Sequence, residues 1–466
     1  MASRDGNTDL VIFGASGDLA RRKIIPALRG LNGNGRRLRL LGAGRSKMST
    51  EAFRELVGQS SGNPELAGTA EWVQLDYDRA AAYHDLKKMV KADRSVIFYL
   101  ATPPQTFGGI LSALSAAGLA GKDGADRRIV IEKPLGQDAE SARRLNGQLG
   151  DLFNEDQVFR IDHYLAKDTV QNVLAFRFSN SIFEPVWNRT MVQSIEITVA
   201  EEIGIGNRAG YYDRIGAVRD MVQNHVLQVL ALVTMEPPST FDPADIRKAK
   251  LELLRAVEPL DGRESVRGQY TGYLDEEGVD PESRRETYAA SRVKIENWRW
   301  DGVPIFIRTG KAMRRQVTEV VVRWRDAPQL AVGGRRQRPI PTLLVIRIQP
   351  DEAITLRIGA KRPGPRFEMI PAGMKLEYRQ MARSPLPDAY DNVLREVLAG
   401  GHTVFPGGKE IERSWEIVDP LIQAWESDGH PETYAKGSWG PGAAEDLVSG
   451  AGGGRWVNSG DEPGTT

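Results

Sequence analysis

Residues 10–13 (LVIF) form a short unbroken apolar run, after which the chain passes into the polar, glycine-bearing run GASGDLARRK at 14–23. A strand covered on both faces reads as such a continuous apolar stretch, so the pattern predicts a buried strand, a turn and then a helix. Further strands are expected at 38–41, 73–75, 95–101 (SVIFYLA) and 128–132 (RIVIE), with helical spacing between them at 51–57 and 141–149. Strands alternating with helices argue for a mostly parallel sheet covered on both faces, whose ligands bind beyond the carboxyl ends of its strands. Later, residues 216–235 (GAVRDMVQNHVLQVLALVTM) are apolar nearly all round. That predicts a buried helix with His225 on the stripe formed by Val218, Met221, Val222, Val229 and Leu232.

At 466 residues the chain is too long for one small core and suggests two domains. Its 62 basic and 62 acidic side chains cancel, so no overall field recruits nucleic acid or an anionic membrane, and any anion site must be local. No stretch is apolar for about 18 residues, and the opening residues lack a signal-like apolar core, which predicts a soluble, cytoplasmic protein. Cysteine is absent, which removes disulfides, thiolate catalysis and thiolate-bound metals, and the five histidines show no metal-binding spacing. No metal is expected.

The densest chemistry lies in RIDHYLAKD at 160–168, where Asp162, His163 and Lys167 fall where a strand-like stretch is expected to give way to a helix. His163 and Lys167, four apart, would share a helical face, and two cations at a helix N-terminus make a phosphate cradle. Alternatively, Asp162 caps the helix while the two cations face water. Gly14 and Gly17 give GxxG rather than a full dinucleotide fingerprint, yet they stand after the first strand and before a helix, where a pyrophosphate approaches the backbone. Gly14, Ser16, Gly17, Asp18 and Leu19 are the candidates there. After the second strand, Arg45, Ser46 and Lys47 stand where an NAD site places a carboxylate. Cations suit a 2′-phosphate and so favour NADP, although such a loop can also be merely solvated. Thr102 and Pro103 follow the fourth strand, and Lys133 the fifth, as nicotinamide-end candidates or as strand-ending turns. His225 is either a hydrogen-bonded core residue or, held by a carboxylate such as Asp162, a base able to take a hydroxyl proton near neutral pH.

The runs GASGDLA (14–20), EKPLG (132–136), RIDHYLAKDTVQN (160–172), FEPVWNR (183–189), RDMVQNH (219–225), NWRWDGVPIFIRTGKAM (297–313) and LPDAY (386–390) resemble the glucose-6-phosphate dehydrogenase family over nearly the whole chain. The resemblance implies that His225 is the general base, Asp162 its partner, and His163 and Lys167 the binders of the sugar phosphate. It further implies substrate contacts from Tyr164, Glu202, Asp220 and Lys311, with Lys23 and Lys133 between cofactor and sugar, Gln349 a neighbour, and Arg45 on the NADP 2′-phosphate. The implied reaction oxidises glucose 6-phosphate at C1 to 6-phosphoglucono-1,5-lactone, the first step of the oxidative pentose phosphate pathway. A related hexose-phosphate dehydrogenase that prefers another sugar or accepts NAD as readily, and a non-catalytic dinucleotide-binding protein, are the alternatives.

The family also implies a larger α+β domain with a mostly antiparallel sheet after a Rossmann-like α/β domain, and a homodimer or homotetramer. Residues 194–199, 288–295, 305–308, 318–324, 343–349 and 353–358 carry strand-like alternation or β-branched runs that suit this. The expected division is 1–161 for NADP binding, 162–440 for substrate binding and dimerisation, and a fraying, glycine-rich tail at 441–466. Gln316, five residues after Lys311, departs from the family, where a basic residue helps hold the sugar phosphate; Arg314 or Arg315 is the expected substitute.

Overall fold

The computed structural model describes residues 7–31, 37–91, 93–122, 126–328, 331–332, 335–336, 340–381, 387–450 and 454–458. The chain forms two compact units, one of residues 1–167, 238–248 and 387–412, the other of 168–237, 249–386 and 413–466. The expected single cut after residue 161 therefore misses two segments that return to the first unit from far along the chain.

The first unit holds strands β1 (Asn7–Phe13), β2 (Arg37–Gly44), β3 (Glu71–Gln74), β4 (Ser95–Leu100), β5 (Arg127–Ile131) and β6 (Val158–Arg160) in one sheet ordered β3-β2-β1-β4-β5-β6. Every neighbouring pair is parallel. Leu10 to Phe13 and Val96 to Leu100 are buried, as their unbroken apolar runs require when helices cover both faces. Two of those helices start where side chains take up orphan N–H groups. Ser49 accepts from Ala52 N at 3.2 Å ahead of Thr50–Ser61, and Asp138 and Ser141 cap Ala139–Leu152 reciprocally.

The second unit is built on nine strands: β7 (Val192–Ala200), β8 (Ser265–Tyr270), β9 (Tyr288–Val293), β10 (Ile305–Gly310), β11 (Val317–Trp324), β14 (Leu343–Gln349), β15 (Ala353–Lys361), β16 (Met369–Glu377) and β17 (Glu432–Tyr434). Their order is β16-β15-β14-β11-β7-β10-β9-β8-β17, with β12 (Ala331–Val332) and β13 (Arg335–Arg336) forming a separate hairpin. Pairing is antiparallel except between β7 and β10 and between β8 and β17. The mostly antiparallel sheet is as expected. Local pattern did not reveal β16, because Pro371 and Gly373 interrupt it, and a strand tolerates both residues at a sheet edge.

The structure corrects two helices and the tail. The helix expected over 216–235 does not start at its glycine: Gly216 (φ 74°, ψ 174°) breaks off the preceding helix Ala209–Ala217. Val218–Val226 is then wound as a π-helix, with Leu227 N donating to Val222 O, before Leu227–Thr234 resumes α geometry. The helix expected from Asp162 starts only at Asp168. The tail is ordered over the described residues: Ala443–Gly450 is helical, Trp456 and Val457 are buried, and Trp456 Nε1 donates to Ala444 O at 2.8 Å. A glycine-rich composition hides these apolar anchors: Trp456 packs with Phe306 of the sheet, and Val457 with Val321, Leu343 and Val345. Trp456→Phe keeps most of the ring but removes the donor to Ala444 O, which keeps its bond within the helix Ala443–Gly450, and is expected to cost about 1 kcal/mol in chemical denaturation.

Candidate active site

In the first unit, the strand order reverses at β1 and β4, the place where open α/β sheets bind ligands. Gly14 ends β1 at φ 81°, and a Cβ there would lie 2.5 Å from Ala101 O, so glycine is needed both for the conformation and for the close approach of β4. Gly14 N donates to Ala43 O at 2.8 Å and Gly17 N closes the turn on Gly14 O at 2.9 Å, which leads into the π-helical stretch Ala20–Ile24. Ser16 Oγ lies 3.1 Å from Ser46 Oγ, which brings the glycine turn against the cationic loop after β2. Arg45 is exposed and stands over the ring of Tyr77 at 5.5 Å. Asp18 is exposed and faces Arg22 at 3.8 Å, and Leu19 is half-buried. Thr102 is buried, with its Oγ1 2.7 Å from Thr106 Oγ1, while Pro103 is exposed and its carbonyl meets the same hydroxyl at 2.8 Å.

At the ends of β4 to β6 a second group gathers. Asp162 Oδ1 accepts from Tyr164 N at 2.9 Å, and Leu165 N and Lys167 N bond to Asp162 O and Tyr164 O, each at 3.1 Å. These are successive turns rather than a helix, because the Asp162 carboxylate captures the backbone locally. The shared helical face is thus replaced by a turn that still gathers His163, Tyr164 and Lys167: Lys167 Nζ stands 4.7 Å over the Tyr164 ring. The returning segment adds residues that sequence reasoning did not assign to the site. Tyr390 stacks near His163 at 6.4 Å, and both Tyr390 and Tyr99 donate to Glu132 Oε1, at 3.2 and 2.7 Å. Burial raises the Glu132 carboxyl above its ordinary range despite those bonds and half-buried Lys133 beside it. Lys23 Nζ pairs with Asp388 Oδ2 at 2.9 Å. Burial would raise Asp388, but bonds from Tyr390 N and Lys23 and the charges of Lys23 and Lys167 hold it below the usual carboxylate range. The LPDAY run was the available signal, although its Leu386 lies outside the described residues.

In the second unit, His225 is fully buried in the π-helical stretch. In an α-helix, residues five apart point about 140° from each other, whereas i→i+5 winding brings them to neighbouring faces. Asp220 and His225 are five apart, so the winding aligns them. Lys311, just beyond β10 and only 4% exposed, forms an ion pair with Glu201, approaches Asp220 Oδ2 at 3.8 Å and stands 5.3 Å over the Tyr212 ring. Neither Glu201 nor Tyr212 was among the sequence candidates. Glu202 is exposed next to Glu201, and Gln349 ends β14 opposite Thr318. Arg315 is turned onto Trp439 at 5.8 Å, whereas Arg314 and Gln316 are exposed.

A six-stranded parallel sheet with a glycine turn at its reversal point defines a dinucleotide-binding protein, here with a second unit that carries a buried histidine and lysine. Residues 11–172 match the glucose-6-phosphate dehydrogenase NAD binding domain and residues 174–457 its C-terminal domain. Similar curated proteins include glucose-6-phosphate 1-dehydrogenase of Treponema pallidum, 41% identical over 95% of this chain and 93% of that protein. Glucose-6-phosphate 1-dehydrogenase 2 of Mycobacterium tuberculosis is 40% identical over 95% and 93%. A solved glucose-6-phosphate dehydrogenase in complex with its substrate glucose-6-phosphate superposes with TM-score 0.90, at 36% identity over 98% of this chain and 100% of that one. The chain belongs to the glucose-6-phosphate dehydrogenase family.

Proposed function

We propose that this protein oxidises D-glucose 6-phosphate at C1 to 6-phospho-D-glucono-1,5-lactone with NADP as the preferred cofactor, NAD being accepted more weakly, as the first step of the oxidative pentose phosphate pathway. The observation that carries the reading is the π-wound helix that aligns Asp220 with buried His225, beside buried Lys311. His225 takes the C1-hydroxyl proton and Asp162 serves as its acidic partner. His163 and Lys167 hold the sugar phosphate, while Tyr164, Glu202, Asp220, Lys311 and Gln349 position the ring. An imidazole base of this kind contributes on the order of 10²–10⁴ in rate, and anchoring the distant phosphate aligns C1.

The first unit fits a dinucleotide. Gly14, Ser16, Gly17, Asp18 and Leu19 form the turn that receives the pyrophosphate, Thr102 and Pro103 follow the strand beside it, and Lys23 and Lys133 serve both ligands. The nicotinamide, when bound, is the hydride acceptor. Arg45, exposed at the end of β2, is the cation suited to a 2′-phosphate. Arg45→Ala is expected to lower kcat/KM for NADP about ten- to a hundredfold, the worth of one charge-assisted bond, with little change for NAD. A wild-type cofactor ratio in that variant would move the 2′-phosphate elsewhere. With Arg315 on Trp439, exposed Arg314 is the remaining candidate for the part of Gln316's position in phosphate binding.

The assembly we propose is a homodimer or homotetramer. Among the described residues no helix is long and apolar enough to cross a membrane, and a cytoplasmic location is part of the same proposal. The direct test mixes purified protein, glucose 6-phosphate and either cofactor, and follows the absorbance of reduced nicotinamide. Turnover only with a different hexose phosphate would replace the substrate.

A further inference from the structure

The helix that carries Asp220 and His225 begins abruptly. Because Gly216 leaves helical geometry, no earlier turn supplies carbonyl acceptors to the first N–H groups of Val218–Val226, and orphan donors in a buried place need other partners. One residue supplies two acceptors. Ala217 N donates to the Glu286 carbonyl at 3.0 Å, and Val218 N donates to Glu286 Oε1 at 3.1 Å. Glu286 is 4% exposed, and a Cβ on Gly216 would lie 2.3 Å from Oε1, so the carboxylate and the chain break fit each other closely. A carboxylate at a helix N-terminus is also favoured by the helix dipole.

The next residue reaches the other side of the same group. Thr287 O accepts from Lys311 N at 2.9 Å, and Tyr434 Oη donates to Lys311 O at 2.7 Å while lying 3.0 Å from Thr287 Oγ1. Two adjacent residues thus tie down both the helix of Asp220 and the backbone of Lys311, the pair that stands 3.8 Å apart.

We infer that Glu286 is a positioning residue: it sets where the helix of Asp220 and His225 begins, and thereby how these side chains meet Lys311 and the substrate. The inference rests on the roles given to Asp220, His225 and Lys311 under the proposed function. Its test uses the full chain with glucose 6-phosphate and NADP, in Glu286→Ala, Glu286→Gln and, in parallel, His225→Asn. Misplacing a reacting group by a fraction of an ångström to an ångström costs rate steeply, so Glu286→Ala is expected to lose about tenfold or more in kcat, with KM for NADP within about twofold. Glu286→Gln retains an acceptor of the same reach and is expected to recover most of that loss, a rescue that bulk stability alone would not produce. Hydrogen exchange at 217–226 should quicken in the alanine variant and stay near wild type in the glutamine variant. Wild-type kcat in folded Glu286→Ala, or equal losses in Ala and Gln variants of wild-type exchange, would overturn the inference. Wild-type turnover in His225→Asn would instead remove the base assignment. A kcat loss in Glu286→Ala would then still support the positioning of Asp220 and Lys311, and its absence would sink that too.

Discussion

His225→Asn is expected to lower kcat at least about a hundredfold, the lower end of what a positioned general base contributes. Asparagine keeps a polar side chain of similar breadth in a fully buried place but cannot take a proton at neutral pH. Under the proposed function, affinity for the sugar resides mainly in His163 and Lys167, and affinity for NADP in the first unit. KM values should therefore change far less than kcat, the signature of an interaction made in the transition state. Steady-state kinetics with glucose 6-phosphate, checked against a thermal melt and against NADP binding without sugar, separate this from misfolding. A folded variant within about threefold of wild-type kcat would take His225 out of the proton-transfer role.

What the sequence made legible was what short-range physics decides. β1, β4 and β5 are readable because strands covered on both faces carry apolar residues without a break, β2 because Leu38, Leu40 and Leu41 flank a single arginine, and the turn at Gly14 because only glycine permits that φ beside Ala101 O. Three features resisted for separate reasons. Asp162 has the residue type of a helix cap, but its side chain bonds two residues ahead and makes a turn, a competition that sequence spacing does not decide. The stripe through His225 follows α periodicity, whereas the segment is π-wound, so the neighbouring faces that this winding gives Asp220 and His225 are not legible at the 3.6-residue period. Glu132 meets Tyr390 across 258 residues of chain, and no local pattern shows that a distant segment returns to the first unit. The tail failed differently: Trp456 and Val457 are few among glycines, yet they decide its packing.

Asp9→Ala is expected to cost the first unit about 3–5 kcal/mol, because it takes the shared carboxylate from Arg94 and leaves Arg39 only Glu71 as an acidic partner in a largely buried place. Asp9, at the start of β1, has no exposed side-chain surface and accepts from Arg39 Nε and Nη2 at 3.0 and 2.7 Å, from Arg94 Nη1 at 2.9 Å and from Lys91 N at 3.2 Å. Arg39 lies directly opposite it on β2 and also reaches Glu71 of β3 at 3.2 Å, so one carboxylate joins the amino ends of the strands whose other ends carry the glycine turn and Arg45. Burial by itself would raise its pKa, but the hydrogen bonds of Arg39, Arg94 and Lys91 N and the charge of Arg39 outweigh it, leaving the group below its ordinary range. The sign follows from linkage: the contribution is fully present above the unfolded-state pKa of about 3.9 and is lost as pH falls through the lower folded-state value. The gap between wild type and Asp9→Ala should therefore be flat from neutral pH to about 4 and close only in stronger acid. Since two units need not unfold together, hydrogen exchange at β1 and β2 is the measurement to use. Adding Arg39→Met and Arg94→Met to Asp9→Ala should restore much of the loss if stranded charge is its source; an unrelieved triple variant would show that packing at the strand ends, not charge, carries the effect.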